Sequence, residues 1–214
     1  MLNESITDDT NRRHQLRVAE DLIVRYGRPG RLVDVGCGDG RLIRAWNGPA
    51  IGVDPSPSAT EGVLRGDAAA LPVRTGAAQT ATAIASLGAF DAATIRLPLA
   101  EMARVLEPGG VAVILVSARN VLADLLSPWR IHTRWRWCSF EPDVLVSEAT
   151  EAGLHVVARK RLGGLRSLIG EWVAVVVPRL PRWAWVRGLQ FSDASEFVAE
   201  RRRGRYLYLV CVRR

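Results

Sequence analysis

Residues 32–42, LVDVGCGDGRL, place three glycines at alternate positions, Gly36, Gly38 and Gly40, between an apolar run and a helix-like one. A residue without a Cβ lets the backbone turn sharply and lets a ligand approach the main chain closely. A dinucleotide loop would have the spacing G-x-G-x-x-G, but its third glycine falls at position 41, which is Arg41. The spacing here is G-x-G-x-G. Further on, the strand-like IGVD ends in Asp54, whose carboxylate can accept hydrogen bonds from both hydroxyls of a ribose. A third run, LRGDAAALP, puts Asp67 after another short strand, within reach of an adenine amino group. Plainer roles exist for the same residues. Asp54 beside Pro55 can simply end a strand, and Cys37 is small enough to be structural, with its backbone rather than its thiol facing a ligand.

These groups need a scaffold that delivers them to one edge. Short β-rich runs alternate with helical patterns: 31–35, 50–53, 63–65, 80–86, 111–117, 154–160 and 206–212 read as strands. Helical patterns lie at 12–26, with Leu16, Ala19, Leu22, Ile23 and Tyr26 on one face, and at 40–46, 97–106 and 141–152, where Gly153 is a natural stop. Pro108-Gly109-Gly110 reads as a tight turn. Such alternation implies a mainly parallel sheet covered on both faces.

Taken together, the residues resemble the successive motifs of class I S-adenosylmethionine-dependent methyltransferases. The loop with Gly36, Cys37 and Gly38 is similar to the family's first motif, Asp54 to its ribose-binding acid, and Asp67 with Ala68 to its adenine-contacting pair. LAEMARVLEPGGVAVIL (99–115) resembles the helix, turn and fifth strand of small-molecule members, and SFEPDVLVSEATEAGLHVV (139–157) the helix and sixth strand that follow. The resemblance covers about residues 30–160, with 205–213 as the last strand. It implies a Rossmann-like α/β fold: a seven-stranded, mainly parallel sheet in three α/β/α layers, with the last strand antiparallel between the fifth and sixth. It also implies S-adenosyl-L-methionine as cofactor, with Ser86 and Leu87 lining its methionine end.

One departure from the family concerns catalysis. The fourth strand, TATAIASLGAF, lacks the acidic or histidine residues that many relatives carry after it, so no catalytic residue is assigned. Transfer from an already activated sulfonium can rest on holding the acceptor in line with the methyl, and a base is needed only for a nucleophile that must lose a proton. His132, among arginines in a tryptophan-rich insertion, is the candidate base. His14 and His155 are the other imidazoles, and no His and carboxylate clustering suggests a metal site.

The 214 residues are 48% hydrophobic, enough for one sizeable core, and read as a single domain. Its parts are a leading helix within 1–29, a cofactor-binding half at 30–118, and acceptor-side or lid insertions at 119–138 and 163–204. Net charge is +7, yet residues 1–118 carry 12 basic and 13 acidic side chains against 17 and 9 in the remainder. The basic excess therefore belongs to the second half. It raises a second reading, a nucleic-acid methyltransferase, against which stands the lack of an Asn/Asp-Pro-Pro-Tyr/Phe tetrad after the fourth strand. The run Arg201, Arg202, Arg203 has a plain account as cations at the end of a helix over 192–204. A third reading, a non-catalytic S-adenosylmethionine-binding protein, follows from the bare end of strand four.

Six of the seven tryptophans lie in the two insertions. Leu165, Leu168, Ile169, Trp172 and Val176 share one helical face, which fits a lid, a wall for a small-molecule or lipid-linked acceptor, a dimer surface, or a helix pair lying on a membrane. Acceptor methylation at oxygen is the expectation. Three cysteines without a C-x-x-C pair fit a reducing compartment. The polar first twenty residues and apolar runs of about seven residues lead to the expectation of a cytoplasmic protein without a membrane span, peripheral contact with the inner membrane face staying open.

Overall fold

The computed structural model describes residues 15–56, 61–119, 138–162 and 206–214. These build seven strands: β1 Leu32–Val35, β2 Ala50–Asp54, β3 Val63–Arg65, β4 Ala78–Ile84, β5 Leu106–Ser117, β6 Leu154–Leu162 and β7 Tyr206–Arg213. The helices are α1 (15–26), α2 Arg41–Ala45, α3 Arg96–Val105 and α4 Pro142–Glu151. All seven strands join one sheet in the order β3-β2-β1-β4-β5-β7-β6. β1 to β5 pair in parallel, and β7 runs antiparallel between β5 and β6, as the resemblance implied.

Period-two alternation divides the sheet between its two covering layers. Val111 and Val113 of β5 face α1 and α2, whose Ala19, Ile23 and Leu42 close a cluster with Leu32 and Val210. The intervening Ala112 and Ile114 turn to the opposite face, where Leu99 and Met102 of α3 and Leu145 of α4 meet Val33, Ala81 and Leu209. β1 is buried at all four positions, as a central parallel strand must be. α4 starts with Pro142 in its first turn and stops at Gly153, whose N–H reaches the Thr150 carbonyl at 3.0 Å.

Most boundaries shift by a residue or two from the sequence expectation, and two of the shifts have a structural cause. β5 begins at Leu106 rather than 111, so Pro108-Gly109-Gly110 is a bulge inside a strand pair: Ala78 pairs with Leu106 and Thr80 with Val111. Pairing persists before the bulge because Leu106 is fully buried and its carbonyl accepts from Arg213 Nη1. β4 ends at Ile84 rather than 86, because Ala85 takes φ 53 and breaks the extended run. His14, His132, the tryptophan-rich faces and the arginine run lie outside the described residues. Among the described residues no helix is long and apolar enough to cross a membrane.

Candidate functional site

The strand order reverses direction at β1. The chain moves outward to β2 and β3 and then returns to β4 on the other side, which leaves a crevice at the carboxyl ends of β1 and β4. Ligands of open α/β sheets bind in such a crevice. The sequence-expected residues occupy this edge: Gly36, Cys37 and Gly38 after β1, Asp54 at the end of β2, Asp67 and Ala68 after β3, and Ser86 after β4.

Gly36, Gly38 and Gly40 have φ of 72, 55 and 72, in the left-handed region. Gly36 and Cys37 donate to the Val53 carbonyl at 2.7 and 3.3 Å, which ties the loop to β2. A Cβ on Gly36 would stand 2.2 Å from the Ser86 Cβ, whereas one on Gly38 would meet nothing within 4 Å. Gly36 therefore serves internal packing, and Gly38 borders open space.

Asp54 braces the loop as well as ending its strand. One carboxylate oxygen accepts from the Gly38 N–H at 2.9 Å and the other from the Ser56 N–H at 2.8 Å. A carboxylate offers about four acceptor positions, so two directions stay free for a ligand. Asp67, exposed, accepts from the Ala69 N–H at 2.9 Å, and Ala68 is half-buried against the core. The Ser86 hydroxyl donates to the Val35 carbonyl at 2.6 Å, locking the end of β4 to the end of β1.

Sequence reasoning missed Asp34. It is 4% exposed inside β1 and accepts from the Thr82 hydroxyl at 2.7 Å across the β1–β4 register. Burial pushes its carboxyl up to about 6, the Thr82 bond opposing and the charge of Asp54 adding to the shift. An acid in the strand that feeds the glycine loop was the available signal. Two carboxylates thus lie beneath and beside the loop. Together with burial, the larger cause, they push the Cys37 thiol up to about 12. Cys37 stays a neutral thiol, the unreactive form.

Because the folded-state value for Asp34 exceeds the ordinary carboxylate value, the native state binds more protons between pH 4 and 6. The group's contribution is full below about pH 4 and is lost as pH rises through about 6. Asp34→Asn keeps an acceptor for Thr82 and cannot ionise. It is expected to exceed wild type in stability at pH 8 by about 1–3 kcal/mol, with the gap closing near pH 4. Urea unfolding at pH 4, 6 and 8 measures this; a pH-independent difference would show that Asp34 ionisation does not burden the fold.

The described ends of both insertions meet the same edge. Arg119 donates to the Phe140 carbonyl at 2.8 Å and Phe140 to Ser117 at 2.9 Å, while Cys138 donates to Gly88, just past β4, at 2.8 Å. The second insertion leaves after Leu162 and returns at Tyr206, a pair in register on β6 and β7. Antiparallel β7 puts that pair beside Ser117, at the carboxyl end of β5.

Comparison with known proteins accords with this geometry. Residues 11–159 match the methyltransferase domain family, and the chain belongs to it. Its fold is shared with an S-adenosylmethionine-dependent methyltransferase from Thermotoga maritima (18% identity, 93% of this chain and 96% of that one, TM-score 0.62). It is also shared with a chain from the complex between the Haloferax volcanii Trm112 methyltransferase activator and a methyltransferase (20%, 98% and 95%, 0.64). A third similar structure is geranyl diphosphate C-methyltransferase from Streptomyces coelicolor A3(2), in complex with Mg2+, geranyl diphosphate and S-adenosyl-L-homocysteine (17%, 94% and 81%, 0.64). No curated protein matches the chain in sequence.

Proposed function

We propose that this methyltransferase moves a methyl group from S-adenosyl-L-methionine to an oxygen of a small-molecule or lipid-linked acceptor. The observation that carries the cofactor assignment is the charge at the glycine loop. Asp34 lies within β1 and Asp54 holds Gly38, so the loop sits in a negative field. That field favours a sulfonium and an ammonium; a dinucleotide site would share the ribose acid at Asp54, and it is the buried Asp34 together with the G-x-G-x-G spacing that supports the sulfonium cofactor over it.

Gly36, Cys37 and Gly38 offer backbone to the methionine end with Ser86 opposite, Asp54 accepts from the ribose hydroxyls, and Asp67 with Ala68 meets the adenine. The cofactor supplies an activated methyl, so the protein's own task is alignment of an acceptor and exclusion of water. Both insertions spring from the edge that carries the glycine loop, which supports residues 119–138 and 163–191 as the acceptor's walls. Their tryptophans fit an apolar or lipid-attached acceptor, and His132 stands in the first as candidate base for a hydroxyl. The Streptomyces methyltransferase, similar in fold and in complex with geranyl diphosphate, supports an acceptor that carries an apolar chain.

Calorimetric titration of the full chain with S-adenosyl-L-methionine and, separately, NADH tests the assignment. Saturable binding of the sulfonium ligand alone is expected. Preference for NADH would overturn it.

A further inference from the structure

Among the described residues, one buried side-chain polar atom has no hydrogen-bond partner, the phenol oxygen of Tyr208. Tyr208 is 1% exposed. It belongs to a cluster with Val18 and Leu22 of α1, Ile84 and Ala85 at the end of β4, Leu115 of β5, and Tyr206. Because β7 is antiparallel, its first residues lie at the carboxyl edge of β5, with Tyr206 opposite Ser117 and Tyr208 opposite Leu115. Buried polar groups are nearly always hydrogen-bonded, and phenylalanine would fill this place with no donor to satisfy.

A second irregularity adjoins it. Ala85 holds φ 53, a conformation uncommon for any residue with a side chain. It leads directly into Ser86, which bonds Val35 and abuts Gly36. Strained backbone of this kind clusters at active sites and ligand clamps. The residue with the unsatisfied donor and the strained turn therefore share one cluster, and that turn leads into the Ser86 that abuts the glycine loop.

We propose that the Tyr208 hydroxyl is the hydrogen-bond donor that holds the oxygen of the methyl acceptor beside the glycine-loop site. This rests on the methyltransferase reading above and narrows its acceptor. Burial keeps the phenol protonated, well above its usual range, so it donates and does not act as a base. An oxygen nucleophile has more than one lone pair. One accepts from Tyr208 while another forms the new C–O bond, as the C–S bond breaks and its electron pair stays on sulfur. A hydroxyl acceptor gives up its proton to the candidate base of the proposed function, and a carboxylate has none to release. A neutral amine has a single lone pair, which the same donor would occupy, so the contact selects oxygen over nitrogen. Val18 and Leu22 bring α1 onto the Tyr208 cluster, and admission of the acceptor requires α1 to shift.

Tyr208→Phe in the full chain tests this through three measurements beside wild type. They are thermal unfolding, S-adenosyl-L-methionine titration, and transfer of labelled methyl to a panel of small phenols, carboxylic acids and primary amines. The expected result is an unfolding midpoint equal to or above that of wild type, cofactor affinity within about twofold, and KM for oxygen acceptors raised by about tenfold. A lowered midpoint would make the hydroxyl structural and overturn the proposal. So would unchanged kinetics on oxygen acceptors, transfer only to amines, or no transfer to any oxygen compound by wild type. Failure of wild type to bind S-adenosyl-L-methionine would instead remove the methyltransferase reading itself.

Discussion

Gly36→Ala is expected to destabilise the protein by about 2–5 kcal/mol, because a left-handed backbone and a steric overlap act on one atom. The new Cβ would fall 2.2 Å from the Cβ of Ser86, and neither atom sits on a flexible tip that can swing away. Relief requires the β1 loop and the end of β4 to separate, which strains the 2.6 Å bond from Ser86 to Val35 and the 2.7 Å bond from Gly36 to Val53. Ser86→Gly in the same chain removes the overlap and leaves the φ of 72. The double variant should therefore show only the conformational part, about 1–2 kcal/mol, beyond Ser86→Gly alone. Urea unfolding of the four proteins gives the coupling. Strict additivity would mean that the loop and strand four do not press on each other. Gly38→Ala is the contrasting case: its Cβ meets nothing within 4 Å, so the chain should fold while the open space that the loop borders is narrowed.

That contrast marks what could be read from sequence. The three glycines and their spacing announced a backbone that approaches a ligand, but nothing local distinguishes the glycine that meets Ser86 from the one that meets empty space. Their difference depends on β4 lying next to β1, a pairing between residues 32–34 and 80–82. Residue periodicity reports the face a side chain occupies and not its partner across the sheet. The same reason hid Asp34, whose partner Thr82 is 48 residues away. It also hid Tyr208, which looks like an ordinary aromatic strand residue until β7 is placed against β5.

The fold was more legible than the site because alternation and stop signals act locally. β1, β2, β3 and α4 were bounded by apolar runs, glycines and a proline that force the chain in one direction. The antiparallel placement of β7, by contrast, came from the family resemblance, since the alternation in YLYLVCV does not encode a neighbour. Pro108-Gly109-Gly110 shows how a correct local signal can point to a wrong boundary. Those residues do bend the chain, but buried Leu106 on one side and Val111 on the other both pair with β4, so the bend is enclosed within a strand.

Asp54→Ala is expected to reduce S-adenosyl-L-methionine affinity by about 100-fold, near 2.7 kcal/mol, with a smaller loss of stability, about 1–2 kcal/mol. The two effects have separate origins. In the free protein the carboxylate accepts from Gly38 and Ser56, and both N–H groups lie close enough to water to recover part of what they lose. In the complex the same oxygens would face ribose hydroxyls from which water is excluded, where an unmet partner is more costly. Asp54→Asn distinguishes them. It keeps one oxygen acceptor and replaces the other with an NH2 that cannot accept from a hydroxyl or from the Ser56 N–H, so it should retain more stability than affinity. Calorimetric Kd and thermal unfolding without ligand, measured on all three proteins, decide the matter. A fall in unfolding temperature with unchanged Kd would make Asp54 a brace for the loop and place the ribose elsewhere. A loss of affinity much larger than the loss of stability would show the carboxylate touching the cofactor, because a brace alone can weaken binding only by as much as it loosens the loop.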